Sequence, residues 1–158
     1  MQEKTPLLLE NQLCFRLYAA TRAMTQAYQP ILAPLGLTYP QYLVMLVLWE
    51  KDGLSVKAIG HRLNLDSGTL TPLLKRLEGQ GLVRRVRSQQ DERVVEIRLT
   101  APGRRLREEA AAVPHRLACR IGVDLDLISS LTAGLDQLIA RLHGSGHAAE
   151  TEADEPLA

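Results

Sequence analysis

The sequence of 158 residues predicts a mainly α-helical fold with one small β-hairpin. Along most of the chain, apolar residues recur at intervals of three and four, which is the period of a helix with one buried face. Residues 82–99 differ, because they are rich in β-branched side chains around a polar turn, as the strands of a hairpin are. With 46% hydrophobic but only 4% aromatic residues, we expect a core built mainly of aliphatic side chains.

Two short helices are predicted to precede the hairpin. The first follows the capping hydroxyl of Ser55, and the second follows a turn at residues 64–66, where Asp66 or Ser67 can cap it. Four leucines form the buried face of the second helix: Leu70, Leu73, Leu74 and Leu77. Its opposite face presents polar side chains that can bind a ligand: Ser67, Thr69, Thr71, Lys75 and Arg76.

The hairpin and its surroundings carry an excess of positive charge. Between Lys75 and Arg107, ten basic residues stand against four acidic ones. Helix, turn, helix and hairpin together make a winged helix-turn-helix, which can place its second helix in a DNA major groove and its hairpin loop against the backbone or minor groove. An ordinary α+β domain with solvated arginines is the alternative, but the clustering of charge favours a polyanionic partner.

Two long helices are predicted near the ends of the chain, from about Leu8 to Ala33 and from about Asp124 to His143. Their apolar residues recur at helical spacing: Leu13, Leu17, Ala20, Met24, Ala27 and Ile31 in the first helix, and Ile128, Leu131, Leu135, Leu138 and Leu142 in the last. Such stripes outside a DNA-reading core predict a homodimer. A dimer favours an inverted-repeat operator, since it places its two reading helices roughly 34 Å apart.

Prolines, glycines and hydroxyls mark the remaining helix boundaries. We expect three residues to close the first helix: Pro30, Pro34 and Gly36. Pro40 lies where the first turn of the second helix should begin. Thr100 can cap a fifth helix, and Pro114 should interrupt that helix because its missing N–H removes a backbone hydrogen bond.

Composition excludes several classes of protein. No apolar run reaches the 18 residues of a membrane span and no secretory signal is evident, so we expect a cytoplasmic protein. Residues 144–158 hold four acidic and no basic residues, which predicts a disordered acidic tail and leaves a net charge of +5 on the remainder. The two cysteines and four histidines show no ligand spacing, so we expect neither a metal site nor a cofactor.

Three short motifs appear in order after the second helix of the reading core. Residues 77–83 read LEGQGLV, residues 91–93 read DER, and residues 99–103 read LTAPG. At this spacing the series resembles the signature of the MarR-family winged-helix repressors.

The resemblance implies a role for each part of this region. The second helix would read the major groove with residues 67–76, while Arg93 would enter the minor groove with Asp91 bracing it. The domain organisation then has three parts: a helical dimerisation region at 1–36 and 103–143, a winged helix-turn-helix DNA-binding region at 37–102, and the acidic tail at 144–158.

Cys14 lies on the first predicted helix, with Tyr18 one turn further along the same face. Tyr28 returns close to that face, but 14 positions of a straight helix put it about 21 Å away along the axis. One chain therefore cannot bring Tyr28 to its own Cys14. If two copies of the helix cross head to tail in a dimer, Tyr28 and the nearby Tyr39 of one subunit can reach Cys14 of the other.

The segment LCFRLY at residues 13–18 resembles the peroxide-sensing segment of the OhrR organic hydroperoxide regulators, one branch of the MarR family. Tyr28 and Tyr39 match the two tyrosines that hydrogen-bond the sensing sulfur, and Cys119 matches the second cysteine of the two-cysteine members. The resemblance implies that an organic hydroperoxide oxidises Cys14 to a sulfenic acid, which Cys119 of the other subunit converts to a disulfide, so that DNA is released. Tyr18 is a third candidate for stabilising the thiolate.

Two other functions share part of this pattern. A thiol peroxidase would also use Cys14 and Cys119, but a basic wing has no place in such an enzyme, so we expect a regulator without catalytic residues. A MarR-type repressor released by a small aromatic ligand would keep the DNA-binding region and need no redox chemistry. In addition, cytosolic cysteines are usually small buried hydrophobes, and the tyrosines can equally be interface residues with satisfied hydroxyls.

Overall fold

The computed structural model describes residues 7–122 and 124–151. The chain divides into two compact units, residues 1–120 and 121–158. The described residues are mainly helical with one small antiparallel sheet, which confirms the predicted fold class.

The first unit begins with a short 3-10 turn at Leu9–Asn11 and then helix α1, Leu13–Leu32. Pro30 was expected to help close α1, but it lies inside the helix. The helix ends instead in a second 3-10 turn, Ala33–Leu35, after which Gly36 adopts a left-handed φ of 68° that reverses the chain. Helix α2 follows at Tyr39–Glu50.

The predicted helix-turn-helix is confirmed, with α3 at Val56–Leu63 and α4 at Ser67–Gly79. The hairpin is also confirmed, as strands β2, Val83–Arg87, and β3, Val95–Leu99. These two strands and the turn between them form the wing. The expected two-stranded ribbon is, however, a three-stranded sheet of order β1-β3-β2, because β1, Leu54–Ser55, pairs antiparallel with β3. Two residues are too short a strand to leave a periodic signal in the sequence.

Past the sheet, α5 spans Ala101–Ala110 and α6 spans Val113–Ile121. The predicted kink at Pro114 is in fact a complete break, so that two helices replace one. Pro114 is the second residue of α6, a position at which the backbone N–H has no partner within the helix and its absence costs nothing.

The core of the first unit lies between α2, the two helices α3 and α4, and the sheet. Trp49 of α2 is buried, and its Nε1 donates a hydrogen bond of 2.8 Å to the carbonyl oxygen of Gly103 in α5. Gly103 itself packs so tightly on the backbone that a Cβ at this position would collide with the carbonyl oxygen of Leu82. These contacts hold α5 against α2 and against the start of the wing. The fully buried large side chains are almost all aliphatic, as expected: Leu32, Met45, Leu48, Ile59, Leu70, Leu74, Leu77, Ile97, Val44, Val83 and Val113.

The second unit contains helix α7, Leu125–Thr151. Asp124 begins it, since its carboxylate accepts a 2.7 Å hydrogen bond from the backbone N–H of Leu127. The helix was expected to end near His143 with a disordered tail after it, but it continues to Thr151; residues 152–158 of that predicted tail lie outside the described residues. Apolar side chains along α7 are exposed, including Leu131 at 55% and Leu142 at 64%.

In the described part of the chain, no single helix is both long and apolar enough to cross a bilayer, and Leu13–Leu35 and Tyr39–Glu50 meet that test only as a pair bent by 67°.

Candidate functional sites

The reading helix α4 is fixed by its cap and by its buried face. The carboxylate of Asp66 accepts hydrogen bonds from the backbone N–H of Thr69 at 2.8 Å and from its hydroxyl at 3.0 Å. The backbone hydrogen bond first, and the hydroxyl second, lower the pKa of Asp66, so the cap stays ionised at neutral pH. Of the two predicted caps, the structure therefore selects Asp66 rather than Ser67.

The outward face of α4 carries the side chains predicted to meet DNA. Ser67, Thr69, Lys75 and Arg76 are exposed, while Leu70, Leu74 and Leu77 on the opposite face are at most 1% exposed. Thr71 is only half-exposed and donates its hydroxyl proton to the carbonyl oxygen of Ser67 at 2.7 Å, so that this donor is already in use.

The wing tip presents Arg93 through a turn that Asp91 organises. The carboxylate of Asp91 accepts a hydrogen bond of 3.0 Å from the backbone N–H of Arg93, and its carbonyl oxygen accepts one of 2.9 Å from Val94. Both residues of this pair are exposed. Asp91 thus braces Arg93 through the backbone, and the guanidinium group points into solvent on a defined turn.

Acidic neighbours neutralise part of the positive charge around the wing. Arg85 lies 3.4 Å from the carboxylate of Glu78, and Arg98 lies 2.7 Å from that of Glu96. The hydrogen bond from Arg98, followed by one from Ser88, lowers the pKa of Glu96. Other exposed cations of α4 and the wing are better suited to a polyanion: Lys75, Arg76, Arg84, Arg87 and Arg93.

Asp52, which the sequence analysis did not single out, ties the wing to α5. One carboxylate oxygen accepts a hydrogen bond of 2.8 Å from the backbone N–H of Leu99 at the end of β3. The other forms a 2.9 Å ion pair with Arg104 of α5. The two partners of Asp52 are 47 and 52 positions further along the chain, so no local sequence pattern indicates them.

Three tyrosines cluster where α1 meets α2. The ring centroids of Tyr28 and Tyr39 are 4.6 Å apart, and those of Tyr28 and Tyr42 are 5.9 Å apart. Burial, as the largest cause, raises the pKa of all three phenols, with their mutual repulsion adding for Tyr28 and Tyr42. The structure thus brings the two predicted tyrosines together and keeps their hydroxyls as proton donors at neutral pH. Tyr42 was missed, although its spacing of three from Tyr39 places both on one face of α2.

Cys14 is the second residue of α1 and is exposed on an apolar segment of that helix. Its neighbours Leu13 and Phe15 are 59% and 38% exposed. Tyr18 is also exposed, and its hydroxyl accepts a hydrogen bond of 3.2 Å from Arg22. Because α1 is one continuous helix from Leu13 to Leu32, Cys14 and the Tyr28 of the same chain stay about 21 Å apart along it.

Cys119 is exposed on α6, one helical turn after His115. The Sγ atom lies 3.8 Å from Nε2 and 3.9 Å from Nδ1 of that histidine. This pair was not predicted, although a spacing of four residues places both side chains on one face of a helix.

Comparison with known proteins gives consistent matches. A family model described as transcriptional regulator SarA/Rot matches residues 26–110. The HTH-type transcriptional regulator TtmR of Methylorubrum extorquens is 54% identical over 140 residues, which cover 86% of this chain and 72% of TtmR. The organic hydroperoxide resistance transcriptional regulator of Bacillus subtilis is 51% identical over 138 residues, which cover 85% of this chain and 92% of that protein.

Solved structures of AbfR, a protein of Staphylococcus epidermidis, are similar in fold as well as in sequence. Reduced AbfR bound to DNA is 40% identical, with a TM-score of 0.70 over 85% of this chain and 94% of AbfR. The disulfide form of AbfR is 41% identical, with a TM-score of 0.59 over 83% of this chain and 92% of AbfR.

Proposed function

Since the chain belongs to the MarR family of winged-helix transcriptional regulators, in the branch of the organic hydroperoxide regulators, we propose that it is a homodimeric repressor whose Cys14 senses organic hydroperoxides. In its reduced state the dimer binds an inverted-repeat operator. Oxidation of Cys14 releases the operator. We place the protein in the cytoplasm.

The observation that carries the sensing role is the distance between Cys14 and the tyrosine pair within one chain. Tyr28 and Tyr39 form a pair of hydroxyl donors near one end of α1, whereas Cys14 lies about 21 Å along that helix from Tyr28. Two copies of α1 crossing head to tail would bring Cys14 of each subunit to the tyrosine pair of the other. Exposed apolar side chains at Leu13 and Phe15 support burial against a second subunit.

DNA reading is assigned to the outward face of α4 and to the wing. Ser67, Thr69, Thr71, Lys75 and Arg76 would face the major groove, and Arg93, held by Asp91, would reach the minor groove. The similarity to AbfR bound to DNA supports this assignment. In the proposed division of the chain, residues 37–102 read DNA, while residues 1–36 and 103–143 form the dimer.

The chemistry begins at the sulfur of Cys14. Its thiolate attacks the hydroxyl oxygen of the hydroperoxide, the oxygen–oxygen bond breaks, and the sulfur becomes a sulfenic acid. The leaving alkoxide takes up a proton from water and departs as the alcohol. The hydroxyls of Tyr28 and Tyr39 from the other subunit would donate hydrogen bonds to the sulfur anion, with Tyr18 close by on the same helix. The apolar neighbours Leu13 and Phe15 favour an organic peroxide over hydrogen peroxide.

The second step joins two subunits. We assign Cys119 of the other subunit as the thiol that condenses with the sulfenic acid, and the disulfide form of AbfR supports such a step. Bridging α1 of one subunit to α6 of the other would move α6, and with it α5, which Asp52 and Arg104 connect to the wing. The two reading helices would then no longer match successive major grooves, and DNA affinity would fall steeply as fewer phosphates are neutralised.

The test compares two cysteine variants in operator binding and on non-reducing gels. With Cys14→Ser we expect unchanged DNA affinity and no release by an organic hydroperoxide. With Cys119→Ser we expect Cys14 still to be oxidised but no covalent dimer to form. Release of DNA from the Cys14→Ser protein at the wild-type peroxide concentration would contradict the sensing role.

A cavity of about 320 Å³ supports a second candidate, a repressor released by a small aromatic ligand. Tyr42, Leu46 and Trp49 of α2 line it together with Pro114 of α6. A double Cys14→Ser, Cys119→Ser variant separates the two candidates, because a ligand-released repressor would keep its response.

The thiol peroxidase alternative predicts many turnovers for each protein. A sensor instead consumes about one hydroperoxide per Cys14, and we propose that the protein has no enzymatic activity. Measuring peroxide consumption with excess reductant decides between these two outcomes.

A further inference from the structure

We infer that His115 accepts the proton of Cys119 when this thiol attacks the sulfenic acid at Cys14 of the partner subunit. The inference rests on the proposed function, because it gives Cys119 its task. It adds a second functional group to a step that would otherwise be assigned to the two sulfurs alone.

The geometry of α6 brings the imidazole to the sulfur. Both ring nitrogens lie 3.8–3.9 Å from Sγ of Cys119, within the range of a hydrogen bond to sulfur. Both side chains are exposed, so the ring is free to turn and point one of its nitrogens at the thiol. The contact is local to one helical turn and needs no other element to form it.

The sequence of α6 offers one proton acceptor beside Cys119. The helix carries three basic residues and no acidic one: His115, Arg116 and Arg120. Guanidinium groups stay protonated in proteins, so the imidazole of His115 is the group of these three that can accept the thiol proton.

The step balances as a condensation. The electron pair on the sulfur of Cys119 forms the new sulfur–sulfur bond, and the sulfur–oxygen bond of the Cys14 sulfenic acid breaks with its electrons on oxygen. The thiol proton moves to the imidazole of His115. It then passes to the departing hydroxide, so that water leaves and the histidine is neutral again. The oxidant is the organic hydroperoxide consumed earlier, when the sulfenic acid formed.

The experiment measures two rates in the same full-length protein after a pulse of cumene hydroperoxide. Trapping with dimedone reports the formation of the Cys14 sulfenic acid, and non-reducing gels report the covalent dimer. A positioned general base typically accelerates proton transfer by about a hundredfold or more, so loss of the base should slow the second rate by at least about tenfold and leave the first unchanged. His115→Ala and His115→Gln are the test variants, and Arg116→Gln is the matched control that removes one positive charge from the same helix.

Added imidazole separates proton transfer from a structural role. We expect it to restore much of the cross-linking rate of His115→Ala and to leave Arg116→Gln unaffected. Wild-type cross-linking in both His115 variants would overturn the inference, and so would a slow variant that imidazole does not rescue. If the wild-type protein itself forms no covalent dimer, the disulfide step of the proposed function is wrong, and this inference falls with it.

Discussion

The DNA-reading region and the tyrosine cluster differ in how much of their structure one chain supplies. In the reading region, every key group has its partner in the same chain: Asp66 caps α4, Asp91 holds Arg93, and Asp52 connects the wing to α5. The tyrosine cluster offers hydroxyl donors at one end of α1, while Cys14 lies at the other. In the proposed function, one protomer therefore supplies the whole DNA-reading region but only the two separate parts of each sensing site, which dimerisation would bring together.

The largest effect is expected from disturbing the packing of the reading region. In Gly103→Ala the new Cβ would collide with the carbonyl oxygen of Leu82, and backbone cannot yield as a flexible side chain can. We expect a loss of roughly 2–4 kcal/mol in the free energy of unfolding, measured by denaturant titration, and weaker operator binding. Gly79→Ala is the matched control, since a Cβ there meets nothing within 4 Å. Equal stability of the two variants would show that the close packing of α5 on the wing is not needed.

A smaller effect on operator binding is expected from replacing an exposed arginine of the wing, and it should exceed the effect of replacing an arginine that lies beside a carboxylate. Arg93→Ala removes an exposed cation and is expected to weaken operator binding by about 1–3 kcal/mol. The slope of log affinity against log salt should fall by about one. Arg85→Ala is the control, because Glu78 already lies 3.4 Å from that guanidinium. Fluorescence anisotropy over a range of salt concentrations measures both quantities, and a larger loss in Arg85→Ala would reverse the proposed assignment.

The smallest expected effect is the contribution of the tyrosine cluster to the pH dependence of the free energy of unfolding. Burial raises the pKa of Tyr28, Tyr39 and Tyr42 above the ordinary value of about 10, so the folded state holds their protons longer than the unfolded state does. Their contribution to stability is therefore complete below about pH 10 and is lost as pH rises through the folded-state pKa values. Unfolding titrations from about pH 8 to pH 11 should show this decline, and Tyr28→Phe should make it shallower. An unchanged slope in that variant would mean that Tyr28 is not buried in solution.

The sequence predicted the reading region well, because its signals are local. Capping residues, leucine spacing and β-branched runs each specify structure within a few positions, and α3, α4 and the hairpin follow from them. Strand β1 and the role of Asp52 were missed, since both depend on partners more than 40 positions away. The break before α6 was predicted only as a kink, because Pro114 alone does not say whether the preceding residues stay helical.

The proposed sensing site, by contrast, could not be predicted from local sequence patterns alone. Tyr28, Tyr39, Cys14 and Cys119 were selected by resemblance to a family, and the structure adds the 4.6 Å approach of the two tyrosine rings. The proximity of His115 to Cys119 could be inferred from spacing alone and was overlooked. The proposed joining of Cys14 to the tyrosines involves two chains, so neither local sequence patterns nor one protomer can display it.

Mixed dimers test most directly whether each sensor is built from two chains. In the first, one subunit carries Cys14→Ser and the other carries Tyr28→Phe, so the remaining Cys14 would face an intact Tyr28 across the interface. In the second, one subunit carries both changes and the other is wild type, so the remaining Cys14 would face the phenylalanine. The rate of Cys14 oxidation by cumene hydroperoxide, measured by stopped flow, should equal the wild-type rate in the first dimer and be about tenfold lower in the second. A factor of about ten corresponds to the free energy of one hydrogen bond to a charged group. Equal rates in the two dimers, or the reverse order, would contradict a sensor shared between subunits.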